Sequence, residues 1–257
     1  MYHIIGPQEF DVGYTVLDPG NDPQARTNIE FGIMRLAPHS SVESIEHACE
    51  RVYVLLEGAG RCVAENVERA VDRTCIFDDL PFGLRVAEGV SCRIESGERG
   101  MELAVAKART TYRAAPTAAM IEPKDFVAGR NLTEPGKGVA NGAFHRTVRT
   151  MFTDGTLAIG ETIARLWSSY PPHHHPQPEI YFYRFDKPQG YAFAEIGGDA
   201  VKVGNNHLTR MLGGVDHSQS CAPGYTEYYL WVILNLTGMR YTGPENTAEH
   251  EWVIRER

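Results

Sequence analysis

An all-β chain of two similar barrels is what this sequence predicts, on three observations. Short runs of β-branched and alternating residues recur at about ten-residue spacing between Gly, Pro, Asn and Asp, the rhythm of a β-sandwich or barrel. Long helical periodicity is hard to find. The two halves also repeat one pattern: HACE at 47–50 stands ahead of VYVLLEGAG at 52–60, and His175 and Glu179 stand ahead of YFYRF at 181–185. A chain of 257 residues has room for two units of about 125.

In the first half the strand candidates are residues 14–17, 31–36, 51–56, 60–64, 74–77, 91–94 and 102–106. In the second they are 144–151, 157–165, 179–185, 192–196, 208–212 and 227–236. The helix candidates are 64–71 and 118–127. The first copy of the repeat lacks the HxH pair and a late histidine matching His217. It therefore reads as a degenerate N-terminal barrel over 1–115. Residues 116–141 are the connecting segment, and 142–257 form the metal-binding C-terminal barrel.

Composition narrows the function classes. Hydrophobic content of 42 % and charged content of 23 % describe an ordinary globular chain with enough apolar residues for a sizeable core. A formal charge of −8 argues against nucleic acid or an anionic membrane as the main partner. It leaves room for an anionic small substrate, because a metal dication can reverse the local sign. No apolar run approaches the roughly 18 residues of a membrane span, and the N-terminus has no secretory pattern. Cys49, Cys62, Cys75, Cys92 and Cys221 are odd in number and scattered, without CxxC spacing. They read as reduced, buried thiols, and the expected location is the cytoplasm.

Residues 167–179, WSSYPPHHHPQPE, carry the chemistry. On an extended strand, residues two apart share a face. That puts His173, His175, Gln177, Glu179, Tyr181 and Tyr183 on one side and His174 on the other. His173, His175 and Glu179 can then converge on one cation, with His217 as the fourth ligand from a distant strand. Three nitrogens and one oxygen suit a divalent transition metal, with Zn the first choice and Mn, Fe, Co or Ni compatible. The run lies mid-chain between Pro pairs, unlike a terminal tag.

These residues resemble the 5-deoxy-glucuronate isomerase family of myo-inositol catabolism, a bicupin family related to the 5-keto-4-deoxyuronate isomerases. WSSYPPH at 167–173 is close to a family signature. EIYFYRF at 179–185 resembles the family's EIYYYRF, APGYTEYYL at 222–230 resembles APGYDLYYL, and HEW at 250–252 resembles its tail. HRTVRTMF, ending at Phe152, resembles the segment that opens the second barrel. Fainter similarity runs through LLEGAGR and ELAVAKA in the first half. The resemblance implies two cupin barrels and a cation on His173, His175, Glu179 and His217. It implies conversion of 5-deoxy-glucuronate to 2-deoxy-5-keto-gluconate, an aldose–ketose isomerisation. The ligands survive while their surroundings differ: His174 and Pro176 replace Lys and Asp, and LGGVDHSQ at 212–219 replaces VPRGYHPV. That pattern keeps the metal and alters the pocket, so another uronate is a second candidate substrate.

Isomerisation moves a proton between adjacent carbons and stabilises charge on two oxygens; a chelating cation serves the second need. The base stays open among His174, Glu227, Asp216, Tyr181, Tyr183 and Tyr229. Arg146 is the expected anchor for a substrate carboxylate, and Arg184, of opposite parity to Glu179, is expected to brace the barrel exterior or an interface. Ser168 and Ser169 belong to a tight entry turn. His3, His39, His145, His207 and His250 are expected to be structural. Two further functions share the ligand set, an Fe(II) cupin dioxygenase and a non-catalytic sugar-acid binder. A homodimer is the expected assembly.

Overall fold

The computed structural model describes residues 2–126, 132–133, 145–168 and 171–252. Its regular structure is almost entirely antiparallel β-sheet. The first half forms one eight-stranded sheet. Its path runs Gly13–Asp18, Ile29–Leu36, Ser91–Arg109, Cys49–Ala64, Gly83–Val86 and Ala118–Ile121. Ser41–Ile45 pairs with the third of these and Val67–Arg73 with the fourth.

The second half forms two sheets. The larger runs His3–Ile5, His207–Met211, Glu179–Phe185, Thr226–Leu234, Leu157–Arg165, His145–Phe152 and Leu132–Thr133. The smaller runs Asp199–Val203, Ala192–Ile196, His217–Cys221, His173–His174 and Glu245–Asn246. The chain's first strand, His3–Ile5, thus lies on the sheet of the second half. Part of the expected connecting segment 116–141 lies outside the described residues.

Strands 157–165, 179–185 and 192–196 are observed at the predicted bounds. Elsewhere the pattern misled. The candidates 51–56 and 60–64 are one strand, Cys49–Ala64, bent by irregularities between Leu55 and Glu57 and between Gly58 and Gly60. Gly58 adopts φ +113, and a Cβ there would lie 2.3 Å from the Gly100 carbonyl oxygen, so the bend requires glycine. The helix candidate 64–71 is a hairpin: Glu65 takes φ +49 in the turn, and Val67–Arg73 folds back on residues 58–64. The candidate 118–127 splits into strand Ala118–Ile121 and a single helical turn, Pro123–Phe126. The strand expected at 74–77 is a turn, because the Asp79 carboxylate accepts the amides of Thr74 and Cys75 at 2.7 and 2.9 Å.

The two halves meet face to face. Phe31, Ile33, Val52, Val54 and Leu56 from one sheet pack against Ile159, Ile180, Phe182, Tyr228 and Leu230 from the other. Burying this much apolar surface is the main force holding the halves together. Polar struts cross the same interface. Arg73 and Arg149, both buried, share the fully buried Glu161 carboxylate at 2.9 Å each. Arg210 forks onto Asp18 through two bonds, of 2.7 and 2.8 Å. Arg184, expected to brace either the barrel exterior or an interface, reaches Glu102 of the first half at 2.7 Å.

The interior of the first barrel is mostly apolar: Leu55, Cys62, Phe82, Leu84, Ile94, Met101 and Leu103 fill it, with the Tyr53 hydroxyl, the Cys92 thiol and the buried Arg51 guanidinium among them. His47 is exposed, and Glu50 is buried with its carboxylate accepting the Leu157 amide at 2.8 Å. The first copy of the repeat therefore uses its acid as a strut to the second barrel.

Candidate metal centre

The second barrel is layered by its strand register. Ile233, Glu179 and Met211 share the top layer with Ala158, and Trp231, Tyr181 and Thr209 share the next with Gly160. Below them lie Thr162, Tyr229 and Tyr183, and then Ala164, Glu227 and Phe185. A cavity of about 530 Å³ opens at the upper layers. Thr150, Thr162, Tyr181, Tyr229, Trp231 and Tyr241 contribute to its wall, together with His173, His175 and Glu179.

Residues 173–179 are not one strand. His173–His174 pairs with His217 and with the tail strand Glu245–Asn246, the chain turns through 175–178, and Glu179 opens the next strand. Proline at 176 and 178 forbids a continuous ladder there. The turn still brings the inward residues together. His173, Glu179 and His217 are all buried and place ligand atoms within 4.8 Å of one another. His175 stands outside that set but touches it: its Nε2 lies 3.0 Å from Glu179 Oε2. His217 Nε2 lies 3.1 Å from the same oxygen.

Do these residues fit a cation? His173 Nδ1 lies 2.8 Å from the Pro171 carbonyl and His217 Nδ1 lies 2.8 Å from that of Val215. Each Nδ1–H donates to a carbonyl and turns Nε2 to the site, the arrangement of a metal-ligating imidazole; against the effect of burial, the Glu179 carboxylate raises the His217 pKa, so that its Nε2 can instead carry a proton that Glu179 accepts. Burial, with His217 nearby, pushes His173 down to about 3 and keeps it a neutral donor. Burial opposes ionisation of Glu179, but hydrogen bonds from His175 and His217 hold it at about 2. A buried carboxylate facing three imidazoles calls for positive charge beside it, whether protons or a cation. The donor set fits a divalent transition metal held by His173, Glu179 and His217, with His175 at its edge.

The other candidates separate by depth. Tyr181 lines the cavity, with its ring centroid 5.8 Å from that of His217. Tyr183 lies one layer below and bonds Thr209 Oγ1 at 2.8 Å and Gln219 Oε1 at 3.0 Å, outside the wall. His174 faces away, as its parity predicts, and contacts Asp216 at 2.8 Å. Asp216 also accepts from Thr247 at 2.9 Å, so this pair clasps residue 247 to the end of the barrel that carries the candidate metal ligands. Arg146 falls in the deepest layer, beside Ala164, two residues below Val148 of the wall. Among the described wall residues none is Arg or Lys, so the carboxylate-anchor role expected of Arg146 has no support in this geometry. Glu227 is fully buried at the closed end, not a surface carboxylate, and is absent from the wall. Ser168 is buried in a tight turn with Leu166 and Trp167 at φ +56 and +58; Ser169 lies outside the described residues. His3 and His207 bond each other at 2.8 Å, a structural pairing.

Trp231, Thr150, Thr162 and Tyr241 were not singled out in the sequence. The inward parity of the strands carries the first three; Tyr241 sits in a loop with no period to read. Gly160 makes room for Trp231: a Cβ there would lie 2.1 Å from indole Cζ2. Gly160→Ala should therefore displace the indole from the cavity wall. Overpacking costs about 1–3 kcal/mol, a fall of about 5 °C in Tm. A melting curve with a KM measurement checks it; an unchanged Tm and KM would contradict the packing described.

Comparison with known proteins agrees with these features. The KduI/IolB family matches residues 8–253. A 5-deoxy-glucuronate isomerase of Bacillus subtilis strain 168 is 30 % identical over 255 residues, covering 89 % of this chain and 88 % of the relative. An IolB-like protein of Salmonella typhimurium LT2 superposes with TM-score 0.79 at 19 % identity, over 95 % of this chain and 96 % of that one. Oxalate decarboxylase from Bacillus subtilis superposes with TM-score 0.63 at 12 % identity, over 88 % of this chain and 73 % of that one. The all-β, two-barrel cupin fold read from the sequence is the fold observed, and the chain belongs to the KduI/IolB family.

Proposed function

We propose that this chain is a metal-dependent aldose–ketose isomerase of a deoxy-uronate-type sugar acid, with 5-deoxy-glucuronate, the substrate named for its relatives, as first choice. The observation that carries the reading is the convergence of His173, Glu179 and His217 beside a cavity walled by hydroxyls. A divalent transition metal bound there supplies Lewis-acid polarisation of a carbonyl and its neighbouring hydroxyl.

The chain's own residues do the rest. Glu179 and the imidazoles fix the charge at one end of the cavity. Tyr181 offers a phenol hydroxyl to the sugar oxygens, Thr150 and Thr162 add shorter donors, and Tyr229 contributes to the wall. The Trp231 indole gives an apolar surface for the C–H face of a sugar. The layers below, closed by Tyr183, Phe185 and Glu227, shut out bulk water and so strengthen every polar contact above them. Proton exchange falls to the hydroxyls of the wall.

The test is a panel of deoxy- and keto-uronates followed by NMR for ketose formation, with an oxygen electrode in parallel. Ketose without oxygen uptake is expected. Oxygen uptake with oxidised product would favour the Fe(II) dioxygenase, and tight binding without turnover the sugar-acid binder.

A further inference from the structure

The loop that follows strand Thr226–Leu234 brings two neighbouring residues to the cavity end of the second barrel. The Tyr241 amide donates to Asn235 Oδ1 at 2.6 Å, and the Tyr241 ring meets that of His175 edge-on, 5.2 Å between centroids. Arg240, one residue earlier, turns the other way. Its Nη2 donates to the Thr153 carbonyl at 3.1 Å, and its guanidinium lies over the Tyr112 ring, 5.5 Å from the centroid. Thr153 and Tyr241 both line the cavity, so the exposed Arg240 side chain stands at the cavity's rim.

The guanidinium fork is held but not consumed. It carries five N–H donors; among the described residues Arg240 uses one of them and has no carboxylate partner. The Tyr112 hydroxyl donates to the Leu236 carbonyl at 2.7 Å, which fixes the ring under the guanidinium, and a ring face occupies no donor. Its place matters too. Strand Glu179–Phe185 is followed across the sheet by Thr226–Leu234, Leu157–Arg165 and His145–Phe152. Thr153 continues the last of these, three strands from Glu179 and about 14 Å around the sheet. The cavity spans that width, from Glu179 to Thr150 and Thr153. A six-carbon sugar acid lying along it, with its carbonyl end at His173, Glu179 and His217, carries its carboxylate to the side where Arg240 stands.

We propose that Arg240 is the specificity-determining residue that receives the substrate carboxylate, a role that rests on the sugar-acid isomerase reading. The planar fork matches a carboxylate through two parallel N–H bonds. The rim keeps both charges partly in water, so neither is stripped of solvent when the pair forms. The contact is remote from the reacting carbons and equal in ground and transition states, so it sets KM and leaves the chemical step to the residues around Glu179.

The metal-loaded wild type, Arg240→Ala and Arg240→Lys test it by calorimetric binding of D-glucuronate and its uncharged amide, D-glucuronamide, beside steady-state kinetics on 5-deoxy-glucuronate. Arg240→Ala should bind glucuronate about 10-fold more weakly and glucuronamide as the wild type does. Its KM should rise by a similar factor with kcat within about twofold of wild type. Arg240→Lys, which keeps the charge and loses the fork, should fall between the two. Added salt should weaken glucuronate binding to the wild type more than to Arg240→Ala. If Arg240 only held its loop to Thr153, acid and amide would weaken together. That result, unchanged glucuronate affinity in Arg240→Ala, or a wild type that binds neither sugar would overturn the proposal. A wild type that turns over no uronate would defeat the isomerase reading, while the acid-against-amide comparison would still decide whether Arg240 reads a carboxylate.

Discussion

Glu179→Ala is expected to release the metal and abolish turnover while leaving the fold intact. Two imidazole nitrogens close on this one carboxylate oxygen, at 3.0 and 3.1 Å. Removing it takes away the negative charge that offsets a dication among buried imidazoles. Lewis-acid stabilisation is worth several kcal/mol, so activity should drop by about 100-fold or more. Metal content should fall from one per chain to near zero, with the circular dichroism spectrum unchanged. His217→Ala should behave alike. His175→Ala should retain measurable metal, because His173, Glu179 and His217 place their ligand atoms within 4.8 Å of one another without it. Elemental analysis of the three variants checks the order; full metal in E179A would contradict it.

The second large effect lies far from the chemistry. Glu161→Ala should destabilise the protein by about 3–5 kcal/mol, lowering Tm by about 10 °C. Glu161 is the shared partner of Arg73 and Arg149, and Arg73 is completely enclosed. Without the acid, buried guanidinium charge remains between the barrels, facing the carbonyl oxygens of Leu55, Ile76 and Asp79 and the neutral Tyr228 side chain but no carboxylate among the described residues. An exposed pair offers the control: Asp72→Ala removes the Arg99 partner at the surface and should cost well under 1 kcal/mol. Denaturant melts of both variants decide it. Equal midpoints would show that the buried cluster does not hold the halves together.

What could be read in the sequence follows from how far each signal reaches along the chain. Strands 157–165 and 179–185 were legible to the residue, because inward and outward faces are both buried and turn residues bound them. The grouping of the candidate donors His173, His175 and Glu179 was legible because residues 173–179 stay close in sequence, even though the chain turns where one strand was expected. The Arg73–Glu161 contact spans 88 residues, and no local pattern encodes it. Glu50 kept its place in the repeat but changed its partner, a change visible only once Leu157 is brought beside it. The depth of Arg146 and Glu227 was illegible for a related reason. Parity places both inside the barrel, but only the register of Glu227 with Phe185, six residues along from Glu179, shows that they lie at the closed end.

The most direct measurement is metal titration of the chelator-treated enzyme, with ketose formation from 5-deoxy-glucuronate followed by NMR. The His173–Glu179–His217 centre predicts no turnover without metal and full recovery at one equivalent of a divalent transition ion per chain. Full turnover by metal-free protein, or recovery that ignores the loss of His217, would contradict it.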